Sequence, residues 1–295
     1  MAVVRNQAVE LLRIASAFGI VWFHGGATGS EYAGGGLIVF VILSTLFVSG
    51  RDGPSPKALT LLRFLIPWAI WMAIYGLLNL VRGIPIVPLD NGLIPGVLMG
   101  SSIHLWFLPF ITAIIAIIVL AKRAMPALVL GAVATACLAI VMITFPWWYP
   151  WSWTAGVPFT QYVHVLPAVL AGTILGAIRF PDRNRLWGLA IVITVALIAL
   201  LPAKGAISYG IGMIAVAIAM MPLARQWASR WDVTPISRAM FGVYLVHPLA
   251  LYPTWRFIGA GYGVLAVTAA FLLSLCAVLL TRRVSPQVSS VLFAY

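Results

Sequence analysis

Long apolar runs recur along nearly the whole chain, and they constrain its fold more than any other feature. A helix that crosses a bilayer needs about 20 predominantly apolar residues. Ten runs approach that length, near 7–26, 34–50, 61–81, 103–121, 124–145, 163–179, 186–202, 205–222, 237–254 and 258–281. They predict an all-α polytopic membrane protein of about ten transmembrane helices. We expect a single transmembrane domain over 1–295, with no separate soluble domain.

The composition supports the same fold class. Of the 295 residues, 63% are apolar or aromatic and only 8% are charged, against about a quarter charged in soluble domains. A soluble protein of this size still exposes a large surface to water. The composition therefore excludes a soluble enzyme, a disordered chain and a secreted disulfide scaffold.

The basic residues predict an orientation. With ten spans and a cytoplasmic N-terminus, the outer loops receive Arg82, Lys204 and Arg256, and the other 15 of the 18 basic residues lie on the cytoplasmic side. Cytoplasmic loops of membrane proteins carry such an excess. Adding or losing one span would spoil the asymmetry, so we expect both termini in the cytoplasm. Runs seven and eight are separated only by residues 202–205, so they form a helical hairpin or one broken helix.

The formal charge of +12 does not indicate nucleic-acid binding, because the basic residues stand singly or in small groups at the ends of apolar runs. Cys137 and Cys276 lie inside apolar runs and are expected to pack as small hydrophobic residues. The four histidines include no pair at ligand spacing on one helix and no neighbouring cysteine. This pattern argues against a metal site.

The first run carries ionisable residues, which are costly in hydrocarbon and usually face a protein interior or a water-filled cavity. Arg13 and His24 are eleven residues apart, about three helical turns, so they share one face roughly 16 Å apart along the axis. Glu10 precedes Arg13 by three residues and can pair with it. Ser16 lies near the same stripe. The alternative is a structural Glu10–Arg13 pair with His24 exposed in an outer loop.

The other histidines lie at positions where a membrane protein could use them. His104 and His164 begin the fourth and sixth runs on the outer side, and His247 lies midway along the ninth. Tyr244 and His247 share a helix face, and Pro248 is expected to interrupt that helix. Each histidine is either a packing residue or, for His104 and His247 above all, a residue that contacts substrate.

Two outer segments are long, at 82–102 and 145–162. The second reads FPWWYPWSWTAGVPFTQY. Its tryptophans form either an aromatic belt at the lipid interface or a stacking platform for sugar rings. In the second interpretation, Trp151 and Trp153 would contact the substrate.

Five segments, in order, carry a resemblance to a known family. The first is VELLRIASAFGIVWFHGG, in which Glu10 and Arg13 are followed by His24. This segment resembles the opening of the acyltransferase type 3 family of integral membrane proteins. The second run resembles a glycine-led family stretch but ends in Ser-Thr-Leu instead of Ser-Gly-Phe. The segments at 63–67 (RFLIP), 104–108 (HLWFL) and 241–248 (FGVYLVHP) resemble later family motifs.

The resemblance implies an activity. Members of this family typically transfer an acyl group, most often acetyl, from cytoplasmic acyl-CoA to a hydroxyl outside. The acceptor would be a sugar, a lipid-linked glycan or a surface polysaccharide, and the protein would lie in the bacterial inner membrane. No metal is implied.

The resemblance also implies site residues. Arg13 and His24 carry the strongest implied roles, with Glu10, Arg63, Trp106, Tyr244 and His247 behind them. His24 would be a general base or would form a transient acyl-histidine. CoA phosphates would bind basic residues, of which the candidates are Arg13, Arg63, Arg51 and Lys57. Tyr244 or His104 would donate to the developing oxyanion, and His104, Trp106, Trp151 and Trp153 would contact the acceptor.

Two functions from other classes fit parts of the pattern. Transporters of small anionic or sugar substrates also carry intramembrane Arg and His residues and helices broken by Pro and Gly. A membrane protein that only helps to assemble a complex, with no catalytic activity, would tolerate replacement of Arg13 and His24.

Overall fold

The computed structural model describes residues 5–50, 58–177, 207–259 and 263–293. These residues are helical with short connections, and no β-strand occurs among them, which confirms the all-α class for this part of the chain. The helices are α1 Gln7–Gly25, α2 Ser30–Ala33, α3 Gly35–Ser49, α4 Ala58–Val81, α5 Leu93–Met99, α6 Phe107–Ala124, α7 Ala127–Ile143, α8 Phe145–Ser152, α9 Phe159–Ala177, α10 Ile207–Met220, α11 Pro222–Ala228, α12 Thr234–Ser237, α13 Met240–Ile258, α14 Gly263–Val284 and α15 Pro286–Phe293. Two 3-10 turns, Ile103–Trp106 and Trp153–Ala155, precede α6 and follow α8.

The described residues contain six helices that are long and apolar enough to cross a membrane: Gln7–Gly25, Ser30–Ser49, Leu62–Val81, Ile103–Ala124, Phe159–Ala177 and Gly263–Val284. Two bent pairs, α7 with 145–155 and α10 with α11, raise the number to eight if each pair is one span. The seventh run, 186–202, and its junction with the eighth lie outside the described residues. The count of ten spans therefore stays a prediction.

The chain divides into two compact units. The first comprises Met1–Leu43 with Leu186–Phe293, and the second comprises Ser44–Arg185 with Ala294–Tyr295. In the first unit α1 packs against α13 and α14; in the second α4 packs against α6, and α7 packs against α9. The single domain over 1–295 stays a prediction.

Local sequence signals set both ends of α1. The Asn6 side chain accepts the backbone N–H of Ala8 at 3.1 Å, as an N-cap does. At the other end Gly26 adopts a left-handed conformation with φ of 58°, which suits a glycine C-cap. These caps place Glu10 in the first turn and His24 in the last turn of the same helix.

Contacts in the first unit give the relative directions of its helices. Asn6 at the start of α1 donates to the Ala219 carbonyl near the end of α10, so these helices run antiparallel. Phe18 of α1 packs edge-on against Phe271 of α14, and Gly25 packs against Val267, so α14 is also antiparallel to α1. These directions agree with those predicted for the eighth and tenth runs.

The prediction that Pro248 interrupts its helix is wrong, because α13 continues through both Pro248 and Pro253. A proline in a helix leaves the carbonyl four residues earlier without its usual N–H donor. For Pro248 that carbonyl belongs to Tyr244, and His247 Nδ1 lies 2.6 Å from it. The imidazole thus replaces the missing backbone donor, and the helix persists.

Candidate functional site

A buried carboxylate organises the first turn of α1. Glu10 is only 5% exposed, and its two oxygens lie 3.3 Å from Arg5 Nη1 and 3.3 Å from Arg13 Nη1. The hydroxyl of Ser237, in α12, donates to the oxygen that faces Arg13. The predicted Glu10–Arg13 pair is therefore present. It holds the guanidinium at the start of the polar face of α1 and ties α1 to α12.

The first unit brings His24 and His247 together. His24 lies in the last helical turn of α1 and is partly buried, so the alternative that it is exposed in an outer loop is wrong. His247 is fully buried in α13. The two ring centroids are 5.1 Å apart. Two histidines that are 223 positions apart in the sequence thus form one imidazole pair.

The environment of His247 fixes its neutral tautomer. A carbonyl oxygen only accepts hydrogen bonds, so the contact with the Tyr244 carbonyl requires a proton on His247 Nδ1. In the neutral ring the lone pair is then on Nε2. The sequence Tyr-x-x-His-Pro therefore orients its own imidazole. Pro248 leaves the Tyr244 carbonyl without a backbone donor, and His247 donates to that carbonyl.

Tyr244 lies beside this histidine pair. Its ring is 3% exposed, stacks on Phe40 of α3 at 6.2 Å and lies 6.0 Å from the His247 ring. The first unit thus brings Tyr244, His247 and His24 together, while Glu10 and Arg13 lie near the opposite end of α1.

In the second unit, His104 and Trp106 lie in the turn that precedes α6. His104 is 2% exposed; its Nδ1 lies 2.9 Å from the Ser102 hydroxyl, and its ring packs edge-on against Tyr75. Trp106 is also buried and contacts the rings of Phe110 and Tyr162. Their roles in substrate binding stay predictions.

The structure separates the outer tryptophans into two groups. Trp147 and Trp151 are 70% and 64% exposed on one face of α8, as expected of a lipid-interface belt. Trp153 is 59% exposed but also packs edge-on against His164 at 4.8 Å, and Tyr149 stacks on that imidazole. The sugar-stacking role stays a prediction for Trp151 and Trp153.

Hydrogen bonds hold His164 in this aromatic cluster. The Ser152 hydroxyl donates to the Tyr149 carbonyl and lies 2.7 Å from His164 Nε2. A hydroxyl has one proton, so His164 Nε2–H donates to Ser152. This arrangement gives His164 a structural role.

The basic residues predicted to bind CoA phosphates are only partly described. Arg63 lies in the second turn of α4 with an exposed side chain. Arg51 and Lys57 lie outside the described residues. Among the residues that the structure describes, no group of three His, Cys, Asp or Glu side chains could hold a metal ion.

Two contributors to these arrangements were not singled out from the sequence. Ser237 and Ser152 are ordinary serines whose partners are set by tertiary packing, and no local signal marks them. The role of Pro248 could have been predicted, because the i−4 rule identifies the Tyr244 carbonyl as the acceptor that it frees.

The comparison with known families decides the class. The family model described as an acyltransferase domain, Acyl_transf_3, matches residues 6–283. The chain belongs to the acyltransferase type 3 family. No curated protein and no solved structure gives a significant match. Family membership, together with the candidate membrane-spanning helices, identifies the protein as a multi-pass membrane acyltransferase.

Family membership gives the geometry of the first unit a chemical context. An acyl transfer to a hydroxyl needs a group that accepts the hydroxyl proton. Among the described residues, the imidazoles of His24 and His247 are of a type that can accept such a proton, and their role stays a prediction.

Proposed function

We propose that this acyltransferase moves an acyl group, with acetyl the expected case, from cytoplasmic acyl-CoA to a hydroxyl of an extracytoplasmic sugar, lipid-linked glycan or surface polysaccharide. The protein would act in the bacterial inner membrane and belong to the enzymes that O-acetylate the cell envelope. The thioester is made inside and the acceptor lies outside, so the acyl group must pass through the protein. The polar face of α1, from Arg13 to His24, supports such a path.

The observation that carries the proposal is the pairing of His24 with His247. A base must be held in one orientation to act on a hydroxyl. His247 is itself oriented by its bond to the Tyr244 carbonyl and lies against His24. We infer that His247 positions the His24 imidazole, and that the unprotonated nitrogen of His24 faces the acceptor.

In the proposed transfer, one carbon–oxygen bond forms, one carbon–sulfur bond breaks and one proton moves from the acceptor to CoA. The acceptor hydroxyl gives its proton to His24, and its oxygen forms a bond to the thioester carbonyl carbon. The resulting oxyanion accepts a hydrogen bond from Tyr244, the candidate donor in this unit. When the carbon–sulfur bond breaks, His24 returns the proton to the CoA thiolate. Attack by His24 itself, through an acyl-histidine, is the alternative route.

The donor is expected to bind through its phosphates. Arginine pairs well with phosphate, and Arg13 is already oriented by Glu10 at the end of α1 that is predicted to be cytoplasmic. Arg63, Arg51 and Lys57 are the other predicted phosphate ligands. The glycan acceptor would approach from the opposite side of the membrane.

Transfer of radiolabel tests this function. Inverted membrane vesicles that contain the host's glycan intermediates are given labelled acetyl-CoA, with wild type compared against His24→Ala at equal expression. We expect label to enter a glycan fraction only with wild type. Uptake of a labelled sugar or small anion into vesicles without acyl-CoA dependence would instead support a transporter and contradict the proposal.

A further inference from the structure

In the second unit, irregular backbone lies beside the middle and outer part of α4. Gly100 has φ of 76°, Ser102 is extended, and the 3-10 turn Ile103–Trp106 begins a candidate membrane span. At membrane depth, backbone of this kind is tolerated where it is buried in protein or lines a water-filled cavity. The segment that joins α5 to α6 is therefore a place to look for a polar site.

Two buried polar groups at this segment have no hydrogen-bond partner among the described residues: Trp68 Nε1 and Ser101 Oγ. Ser101 is 6% exposed. Elsewhere in the described part of this unit, Gln161 Oε1 and Tyr162 Oη also lack a partner, whereas two groups of the same kinds as Trp68 Nε1 and Ser101 Oγ are satisfied. The Thr112 hydroxyl donates to the Leu108 carbonyl at 2.7 Å, and Trp148 Nε1 donates to the Val141 carbonyl at 2.7 Å.

Two glycines let α4 approach residues 100 and 101 closely. A Cβ atom built on Gly100 would lie 3.7 Å from Trp68 Nε1, and one built on Gly76 would lie 3.1 Å from Ser101 Oγ. The segment thus packs directly against α4, and Asn79 fixes it by donating to the Ser101 carbonyl at 2.8 Å. Leaving such buried groups unsatisfied is unfavourable, so a ligand that satisfies them is favoured.

The neighbouring side chains indicate the class of ligand. An indole N–H only donates, whereas a hydroxyl both donates and accepts, so the ligand must bring at least one acceptor oxygen. The ring of Tyr75, one residue before Gly76, is buried beside the imidazole of His104. Aromatic rings next to hydroxyl, indole and imidazole groups suit a hydroxyl-rich sugar ring better than an acyl chain.

We propose that Trp68 and Ser101 form a subsite that binds a sugar unit of the acceptor glycan through its hydroxyl oxygens. The inference rests on the proposed function for the identity of the glycan, but the binding itself needs no transfer. Trp68 donates from Nε1 to a sugar oxygen, and Ser101 exchanges a hydrogen bond with a sugar hydroxyl. The preceding outer segment, 82–102, leads into the subsite from the side on which the acceptor is expected.

Binding is tested on the purified full chain in detergent. The probe is the glycan fraction extracted from host membranes, and the readout is the midpoint of its stabilisation of the protein against heat. Trp68→Phe removes the indole N–H together with one ring of the indole, and Ser101→Ala removes only the hydroxyl. We expect each to weaken glycan binding about three- to tenfold, as loss of one hydrogen bond does. Stabilisation by acetyl-CoA should not change.

Matched controls separate binding from stability. Trp148→Phe and Thr112→Ala remove the same groups where the protein already satisfies them, so they should leave the glycan midpoint unchanged even if the unliganded protein melts earlier. The inference is overturned if wild type shows no glycan stabilisation, or if Trp68→Phe and Ser101→Ala bind like their controls. Absence of label transfer by wild type would instead contradict the proposed function, so the two failures are distinguishable.

Discussion

At the residue scale, the most informative feature is that the His247 side chain replaces the backbone N–H that Pro248 lacks as the donor to the Tyr244 carbonyl. The proline removes a backbone N–H, and His247 supplies Nδ1–H to the carbonyl that is left over. A residue that usually weakens a helix thereby fixes the tautomer of a buried imidazole. The sequence predicted that Tyr244 and His247 share a face, but it could not predict that His24 lies against them, because that contact depends on tertiary packing.

Pro248→Ala tests this replacement of the donor. The new backbone N–H should take the Tyr244 carbonyl and displace His247 Nδ1. We expect kcat to fall about tenfold, since a misoriented base loses part of its contribution. The free energy of unfolding should change little, because the gain from replacing proline by alanine in a helix is offset by leaving the buried His247 Nδ1–H without its acceptor. Both are measured on purified protein, by transfer kinetics and by unfolding in detergent.

The control for that variant is Pro253→Ala, in the same helix. It should raise the free energy of unfolding by roughly 1–3 kcal/mol but leave kcat unchanged, because the carbonyl that it satisfies belongs to Leu249. Equal effects of the two substitutions on kcat would contradict the role assigned to His247.

Glu10→Gln tests the positioning of Arg13. The substitution removes the charge that holds Arg5 and Arg13 while keeping a similar shape. We expect a loss of roughly 1–3 kcal/mol in the free energy of unfolding and a several-fold rise in the KM for acyl-CoA, with kcat less affected. Glu31→Gln, at an exposed position, is the control and should change neither. An unchanged KM would argue that Glu10 serves stability alone.

At the element scale, the position of His24 depends on how α1 is capped and how closely α3 approaches it. A Cβ atom built on Gly36 would lie 2.5 Å from the Ser16 carbonyl oxygen and 3.3 Å from Gly19 Cα. The two helices therefore meet through small residues, as helices in membranes often do. The caps at Asn6 and Gly26 could be predicted from the sequence, but this crossing could not, because the chain contains 26 glycines and the sequence does not say which helix each one approaches.

Gly36→Ala should force α1 and α3 apart. We expect the free energy of unfolding to fall by about 1–3 kcal/mol, the usual range for overpacking. Acyl transfer should decrease as well, since His24 moves with α1. Thermal unfolding in detergent and transfer kinetics measure the two effects. Phe47→Ala, at a side chain that is 45% exposed, is the comparison, and Gly36→Ala should be the more damaging of the two.

At the scale of the whole molecule, the sequence predicted the all-α fold class and the relative directions of the helices in the first unit better than it predicted the number of membrane spans. Apolar length identifies a spanning helix only where the helix stays straight. The fifth run bends by 76° where α7 meets the aromatic segment, and α13, which covers most of the ninth run, contains His247, Pro248 and Arg256. The described residues consequently give six to eight candidate spans, although the relative directions of α1, α10 and α14 agree with the prediction.

The predicted orientation can be tested by cysteine labelling. In a chain with Cys137→Ser and Cys276→Ser, Asn91→Cys should react with a membrane-impermeant maleimide on intact cells. Asp232→Cys should react only after the membrane is permeabilised, because the charge asymmetry places it in the cytoplasm. Both positions are exposed. Labelling of Asp232→Cys on intact cells would contradict the orientation of the first unit.

The central claim is that His24 is the base for acyl transfer. The measurement that tests it most directly is kcat for transfer from acetyl-CoA to the glycan fraction, for wild type and His24→Ala. His164→Gln serves as a histidine control in the second unit. We predict that His24→Ala lowers kcat at least about 100-fold, as loss of a general base does, with the KM values and thermal unfolding little changed and with His164→Gln remaining active. A folded His24→Ala variant that keeps wild-type kcat would contradict the account.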